Sequence, residues 1–319
     1  MSENHAKGLD IPGDDARYEV KSCFIIWIRV AVLLLSGLSG LSAAEFQPGE
    51  RLDYTFSYRG LFSGFIEIKI AHASITLAAQ PVSIDGHPAY LAECTATTKP
   101  FAEAEMIYPI RYRFLSWFGP TNQLPYLAME YSQTNEDKEE LLWFDREHGL
   151  GFRYQKNQLA MTPDAKPPFF PLPGLDIDPE EWSLAEGTNR QALPEAGVWD
   201  YLSLLYRLRF GALSAGKSFD LQVFNGKQIK TYRIGVTQDR FTRDGWDLPA
   251  FKLDLFEVRN GKRKAEKITT IWISDDASRL PLLFQVERVV GVFEGLLEAN
   301  RPMTAGAMDA PDQTVSPSS

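Results

Sequence analysis

From residue 50 onward, apolar and polar residues alternate with a period of two. A β-strand uses that pattern to bury one face and wet the other. In RLDYTFSYR, Leu52, Tyr54, Phe56 and Tyr58 share one side, and Asp53, Thr55 and Ser57 share the other. After the turn GLFSG, Ile66, Ile68 and Ile70 alternate with Glu67, Lys69 and Ala71, so the two segments read as an antiparallel hairpin with one buried face. The same character recurs in PAYLAECTAT, IRYRFLSWF, LPYLAMEYS, ELLWFD and GFRYQ. It returns in SFDLQVF, QIKTYRIGV, AFKLDLFEV, ITTIWIS, RLPLLFQVERV and VFEGLLEA. Turn pairs separate them, among them Asp85-Gly86, Asn225-Gly226, Asp244-Gly245 and Asn260-Gly261. About a dozen short strands joined this way predict a mainly-β fold, a curved antiparallel sheet of half-barrel or β-spiral form.

One segment breaks the alternation. PEAGVWDYLSLLYRLRF, Pro194 to Phe210, places Val198, Leu202, Leu205 and Arg209 at helical spacing. It predicts an amphipathic helix that starts at Pro194 and Glu195, with Arg207 and Arg209 suiting its negative end. Such a helix has enough aromatic surface to cover a sheet face or plug the mouth of a curved sheet. Trp199, Leu202 and Tyr206, with Trp272 from ITTIWIS, are therefore the candidates for lining a ligand cavity.

The N-terminus predicts the compartment. Residues 22 to 44 carry Lys21 and Arg29 as nearby cations, an apolar run from Val30 to Leu35, and small residues ending in Ser42-Ala43-Ala44. That is the layout of a secretory leader, with cleavage expected after Ala44 and a periplasmic destination. An uncleaved membrane anchor fits less well, because Arg29 interrupts the span and Gly and Ser fill its end. The first 20 residues are long and polar for a leader, which suggests Val20 as an alternative start. Cys23 lacks a preceding lipobox, so no lipid anchor is expected there. The organisation expected is an extension and leader over 1–44 and a β domain over 45–300. The Pro-rich, acidic connection at 163–193 joins two half-sheets, and a disordered tail covers 301–319.

Chemistry is thin. GALSAGKS, Gly211 to Ser218, fits the phosphate-loop pattern through Gly211, Gly216, Lys217 and Ser218. A phosphate loop needs a strand before it and a helix after it. Here a helix precedes and a strand follows, so the match reads as a turn that ends the helix. No nucleotide is expected. Leaving aside His5 near the start, His72, His87 and His148 form no metal-ligand spacing, and Cys94 reads as a small buried strand residue. In ISDDASRLPLL, Asp275 and Asp276 read as a turn that accepts backbone N–H bonds, with Arg279 as an ion partner. No catalytic residue, metal or cofactor is nominated, and an enzyme is not expected. With 33 Lys and Arg against 42 Asp and Glu, the net charge of −9 argues against nucleic-acid binding. It also disfavours attachment to an anionic membrane by charge alone.

Four stretches in this order carry a family resemblance: PGERLDYTFSYRGLFSGFIEIKI, VWDYLSLLYRLR, GKSFDLQVF and IWISDDASRLPLLFQVERVVGVFEGLL. Together they resemble the DUF3108 family of exported bacterial proteins, over Phe46 to Glu298. The closing strand, SDD turn, Arg-x-Pro and second strand are the most specific part. The resemblance implies no catalytic residues. IWIS…RLPLLFQV is similar, more distantly, to periplasmic lipoprotein carriers and other β-spiral envelope proteins that hold an acyl chain beside a helix. Two functions follow as expectations. One is a binding module for a lipid, a lipoprotein acyl chain or another apolar envelope ligand. The other is a structural or interaction protein that contacts another envelope protein and holds no small molecule. An open interior favours the first and a filled one the second.

Overall fold

A computed structural model describes residues 47–133, 137–156, 181–185, 190–259 and 261–299. The leader and its alternative start, most of the 163–193 connection and the 301–319 tail lie outside the described residues. The first half of the sheet holds β1 (Arg51–Gly60), β2 (Ile68–Leu77), β3 (Val82–Ile84), β4 (His87–Thr97), β5 (Arg111–Phe118), β6 (Pro125–Gln133), β7 (Asp137–Asp145) and β8 (Leu150–Lys156). The short β9 (Trp182–Leu184) and β10 (Gln191–Ala192) follow. The second half holds β11 (Ser218–Phe224), β12 (Ile229–Arg243), β13 (Trp246–Arg259), β14 (Lys262–Ser274), β15 (Pro281–Arg288) and β16 (Gly291–Leu297). Helix α1 is Ala102–Ile107 and helix α2 is Tyr201–Phe210.

These strands form one antiparallel sheet in the order β10-β8-β7-β6-β5-β4-β2-β1-β16-β15-β14-β13-β12-β11, with β3 beside β4 and β9 beside β8. The fold is thus mainly β, as the alternation predicts, with sixteen strands rather than a dozen. Nearly every connection is a hairpin. The exception that closes the order is β1–β16, which pairs the two ends of the described chain from Tyr54↔Leu297 to Gly60↔Gly291.

The sheet curls until its edges face each other, without a continuous ladder between them. Phe144 of β7 meets Phe224 of β11 edge-on at 5.7 Å. Trp199, ahead of α2, pairs in parallel with β11: its N–H donates to the Gln222 carbonyl (3.1 Å) and its carbonyl accepts from Phe224 N–H (3.0 Å). Inside the curl, registered rows such as Tyr54–Ala73–Ala96–Tyr112 and Ile75–Cys94–Phe114 face α2. Eight of the ten α2 residues, from Tyr201 to Arg209, are buried. A helix buried nearly all round belongs in a core, and here it fills the interior. Cys94 lies in that core, and burial pushes its thiol up to about 12, out of nucleophilic range at neutral pH.

A second apolar layer lies on the opposite face of β4–β8, built from Leu115, Trp117, Leu127, Met129 and Leu141. That is why FLSWF in β5 is apolar on both faces rather than alternating. Two expectations need correction. The helix does not start at Pro194 and Glu195, because Trp199 is already used as an extended residue against β11 and Asp200 caps the first turn. Ile66 is not on the buried face of a hairpin: it precedes β2 and is 69% exposed.

Candidate functional site

Two buried polar anchors hold α2 in the interior. At its start, Asp200 Oδ1 accepts from the N–H groups of Leu202 (2.7 Å) and Ser203 (3.0 Å), and Oδ2 accepts from Ser116 Oγ of β5 (2.7 Å). A carboxylate fits the positive end of a helix dipole. Burial nevertheless raises its pKa against the lowering effect of these hydrogen bonds. Arg146 lies nearby, donating to the carbonyls of Pro125 (3.0 Å) and Val198 (2.7 Å) over the Phe144 ring. Burial holds its guanidinium down to about 10, opposed by the Asp200 charge.

At the other end, Arg209 forms a two-pronged ion pair with Glu50, and both side chains are wholly buried. The remaining donors reach backbone: Nε to the Arg279 carbonyl (3.0 Å) and Nη2 to the Ser278 carbonyl (3.2 Å). Those two carbonyls belong to the turn between β14 and β15. Asp276 Oδ1 shapes that turn by accepting from Ser274 Oγ (2.9 Å), Ser278 N–H (2.9 Å) and Arg279 N–H (3.1 Å). Asp275 pairs with Arg279 at 3.4 Å, and Arg279 lies over the Phe251 ring. The turn is therefore the receptor for Arg209.

Burial pushes the Asp276 pKa up, but bonds from Ser278, Ser274 and the backbone outweigh it and hold the group below its ordinary value. A carboxylate lowered on folding adds stability above its unfolded pKa, and that stability is lost as pH falls through the folded value. Asp276→Asn should therefore lower stability at neutral pH and flatten the fall that the native chain shows below about pH 4. Urea unfolding at both pH values measures this, and parallel acid limbs would remove the role.

The structure brings three of the four cavity candidates together. Leu202 and Tyr206 are buried on α2, with Tyr206 tilted against Phe118 at 5.1 Å, and Trp199 is buried just before them. They are packed plug rather than open lining. Trp272 does not join them. Alternation along β14 points Ile271 and Ile273 into the core and Trp272 to the other face, where its Nε1 donates to Asp239 Oδ2 (2.9 Å). Gly211 follows α2, Gly216 turns the chain, and Lys217 and Ser218 lead into β11, so no helix follows this segment. His72 lies between Asp53 (3.8 Å) and Glu298 (3.7 Å), and His148 meets Asp145 at 2.8 Å. Among the described residues, no group of three or more His, Cys, Asp or Glu could hold a metal.

Sequence reasoning missed another feature. Among the described residues, the large apolar side chains that are exposed are Leu61, Phe62, Phe65, Ile66, Met106, Ile107 and Val289. They occupy the β1–β2 loop, α1 between β4 and β5, and the β15–β16 turn. Strands β5-β4-β2-β1-β16-β15 are consecutive in the sheet, so these are neighbouring connections at one end. The first loop is ordered by hydrogen bonds: Phe65 N–H to the Gly60 carbonyl (2.9 Å), Ile66 N–H to the Ser63 carbonyl (3.2 Å), and Leu61 N–H to the Val290 carbonyl (3.1 Å) of the next turn. Phe65 sits at φ 64°, a left-handed conformation that costs an aromatic residue about 1–3 kcal/mol. The chain thus holds a phenyl ring out in water against both its hydrophobicity and its backbone preference.

The family model for DUF3108, described as a protein of unknown function, matches residues 53–298. The chain belongs to the DUF3108 family. The match takes in α2, the Asp276 turn and the whole apolar end of this DUF3108 chain, while Glu50 lies just ahead of it. Among solved structures, a beta-barrel-like protein of domain of unknown function DUF1849 from Brucella abortus aligns with a TM-score of 0.45 at 8% identity. That alignment covers 80% of this chain and 98% of the other. No curated protein matches the DUF3108 chain.

Proposed function

We propose that this chain is a non-enzymatic protein of the cell envelope, exported by a cleaved leader, that works by docking through the apolar end of its helix-filled sheet. The observation that carries this reading is the confinement of the large exposed apolar side chains, among the described residues, to three neighbouring connections. Scattered single exposures are ordinary on a protein surface, whereas a contiguous patch marks a contact site. A photoreactive phenylalanine analogue tests it in intact cells, placed at Phe62 and, for contrast, at Gln80 in the exposed connection of the opposite end. Adducts from position 62 and none from position 80 are expected. Equal labelling, or none from either, would overturn the reading.

A second reading, a carrier for a lipid or lipoprotein acyl chain, draws on the aromatic surroundings of α2, with Phe118 and Phe114 against Tyr206 and Tyr201. A chain enters that space when α2 leaves it. Lipid recovered near stoichiometry from detergent-free protein would favour this second reading, and the filled interior leads us to expect none.

A further inference from the structure

We infer that the partner docked at the apolar end is a lipid bilayer surface with anionic headgroups, an inference that rests on the docking reading above. The apolar side chains are spread along neighbouring loops rather than gathered around a pocket. Such a row meets a plane, and Leu, Ile, Met and Phe on two loops and the last turn of α1 have the chemistry that enters the headgroup–acyl boundary. Phe62 is 61% exposed, Met106 81% and Val289 97%, so burial at a boundary removes much apolar surface from water.

Charge around the row favours an anionic partner. Arg59 and Lys69 flank the β1–β2 loop and Lys99 precedes α1; all three are exposed, and Lys99 also acts on the nearby Glu105 carboxylate. The neighbouring carboxylates are largely engaged: Glu67 by Arg243 (3.4 Å), and Glu105 by Arg111 (2.5 Å) and the Thr98 hydroxyl. Glu103, exposed on α1, is the opposing charge there. The chain's net charge of −9 speaks against adhesion by charge alone. Here the cations orient the row toward anionic headgroups, and the side chains between them supply the attachment. Phe65 gives a further reason for a boundary. Its left-handed backbone aims the ring outward from an ordered loop, so the surface is formed before the partner arrives.

The test is co-sedimentation of the full chain, purified from exporting cells, with vesicles of phosphatidylcholine alone and with phosphatidylglycerol added. Binding to the anionic vesicles is expected, and weaker binding to the neutral ones. The Phe62→Ser/Phe65→Ser variant should lose roughly tenfold or more of the partition coefficient. Arg59→Glu/Lys69→Glu should abolish the preference for anionic vesicles while leaving the urea midpoint unchanged. Absence of anionic-vesicle binding, or binding indifferent to Phe62→Ser/Phe65→Ser, overturns the inference. If vesicles are ignored while position 62 still cross-links to a protein in cells, the bilayer is the wrong partner and the docking reading stands. If both fail, both fall.

Discussion

Glu50→Gln should lower the stability of the fold by about 3–5 kcal/mol, the range expected when one member of a buried ion pair is removed and the other stays charged. Arg209 keeps its charge at any working pH: burial pulls its pKa down, but the charge and hydrogen bonds of Glu50, with Tyr206 and Tyr54, outweigh it and raise the pKa above its ordinary value. With Gln at position 50, that charge stays wholly buried, held by the Ser278 and Arg279 carbonyls, with Tyr206 and Phe210 beside the guanidinium. Relief requires α2 to move out toward water, which would open the interior that the helix fills. The expected readout is a lower urea midpoint together with binding of an apolar fluorescent dye. Glu50→Leu/Arg209→Met removes both charges and should recover at least half of the loss, since a buried pair replaced by apolar residues of similar volume is often neutral. A double-mutant cycle separates the pair term from the rest. A single-variant loss below about 1 kcal/mol, the size expected of an exposed pair, would mean that water reaches the pair and that it does not anchor the helix.

The partnership explains which parts of the molecule could be read in advance. Period-two alternation predicts the sheet because it is local, and it holds in β12 and β13, where buried residues alternate with more exposed ones, whereas in β1 the polar Asp53 and Ser57 are buried as well. Arg209 reads as a residue that suits a helix end. Its partner lies 159 residues earlier, and no local pattern in PGERLDY marks Glu50 as buried. The helix start was more legible than the Pro194 assignment allowed. Asp200-x-x-Ser203 has the spacing of a capping box, with Ser203 Oγ accepting from the Asp200 N–H at 3.2 Å. Trp272 was also legible, because its neighbours Ile271 and Ile273 claim the inward face. The apolar end was hidden for a different reason. Leu, Phe and Ile in GLFSGFI look like strand residues, and alternation assigns Ile66 to a buried face. Only the register, which ends β1 at Gly60 and begins β2 at Ile68, leaves them outside.

Gly291→Ala tests how that end is held and should destabilise the fold by about 2–4 kcal/mol, combining backbone strain with overpacking. Gly291 has φ +147° and pairs with Gly60 where β1 and β16 meet. A Cβ there would lie 2.6 Å from the Arg59 carbonyl oxygen and 2.7 Å from Gly60 Cα. Both are backbone atoms, so no side-chain rotation relieves the clash, and the strands must separate. The contacts nearest the strain are those that couple the two hairpin tips: Leu61 N–H to the Val290 carbonyl, and Tyr58 Oη to the same carbonyl at 2.5 Å. Their loss frees the loop carrying Phe62 and Phe65, so cross-linking from position 62 should weaken even where the rest of the sheet remains folded. Gly86→Ala is the matched comparison. Its φ is +76°, but no atom lies within 4 Å of a Cβ built there, so it carries the left-handed penalty alone, about 1–2 kcal/mol. If urea unfolding shows Gly291→Ala to be as mild as Gly86→Ala, close backbone approach is not what joins the tips. The presentation of the apolar row would then have to come from the loop's own hydrogen bonds.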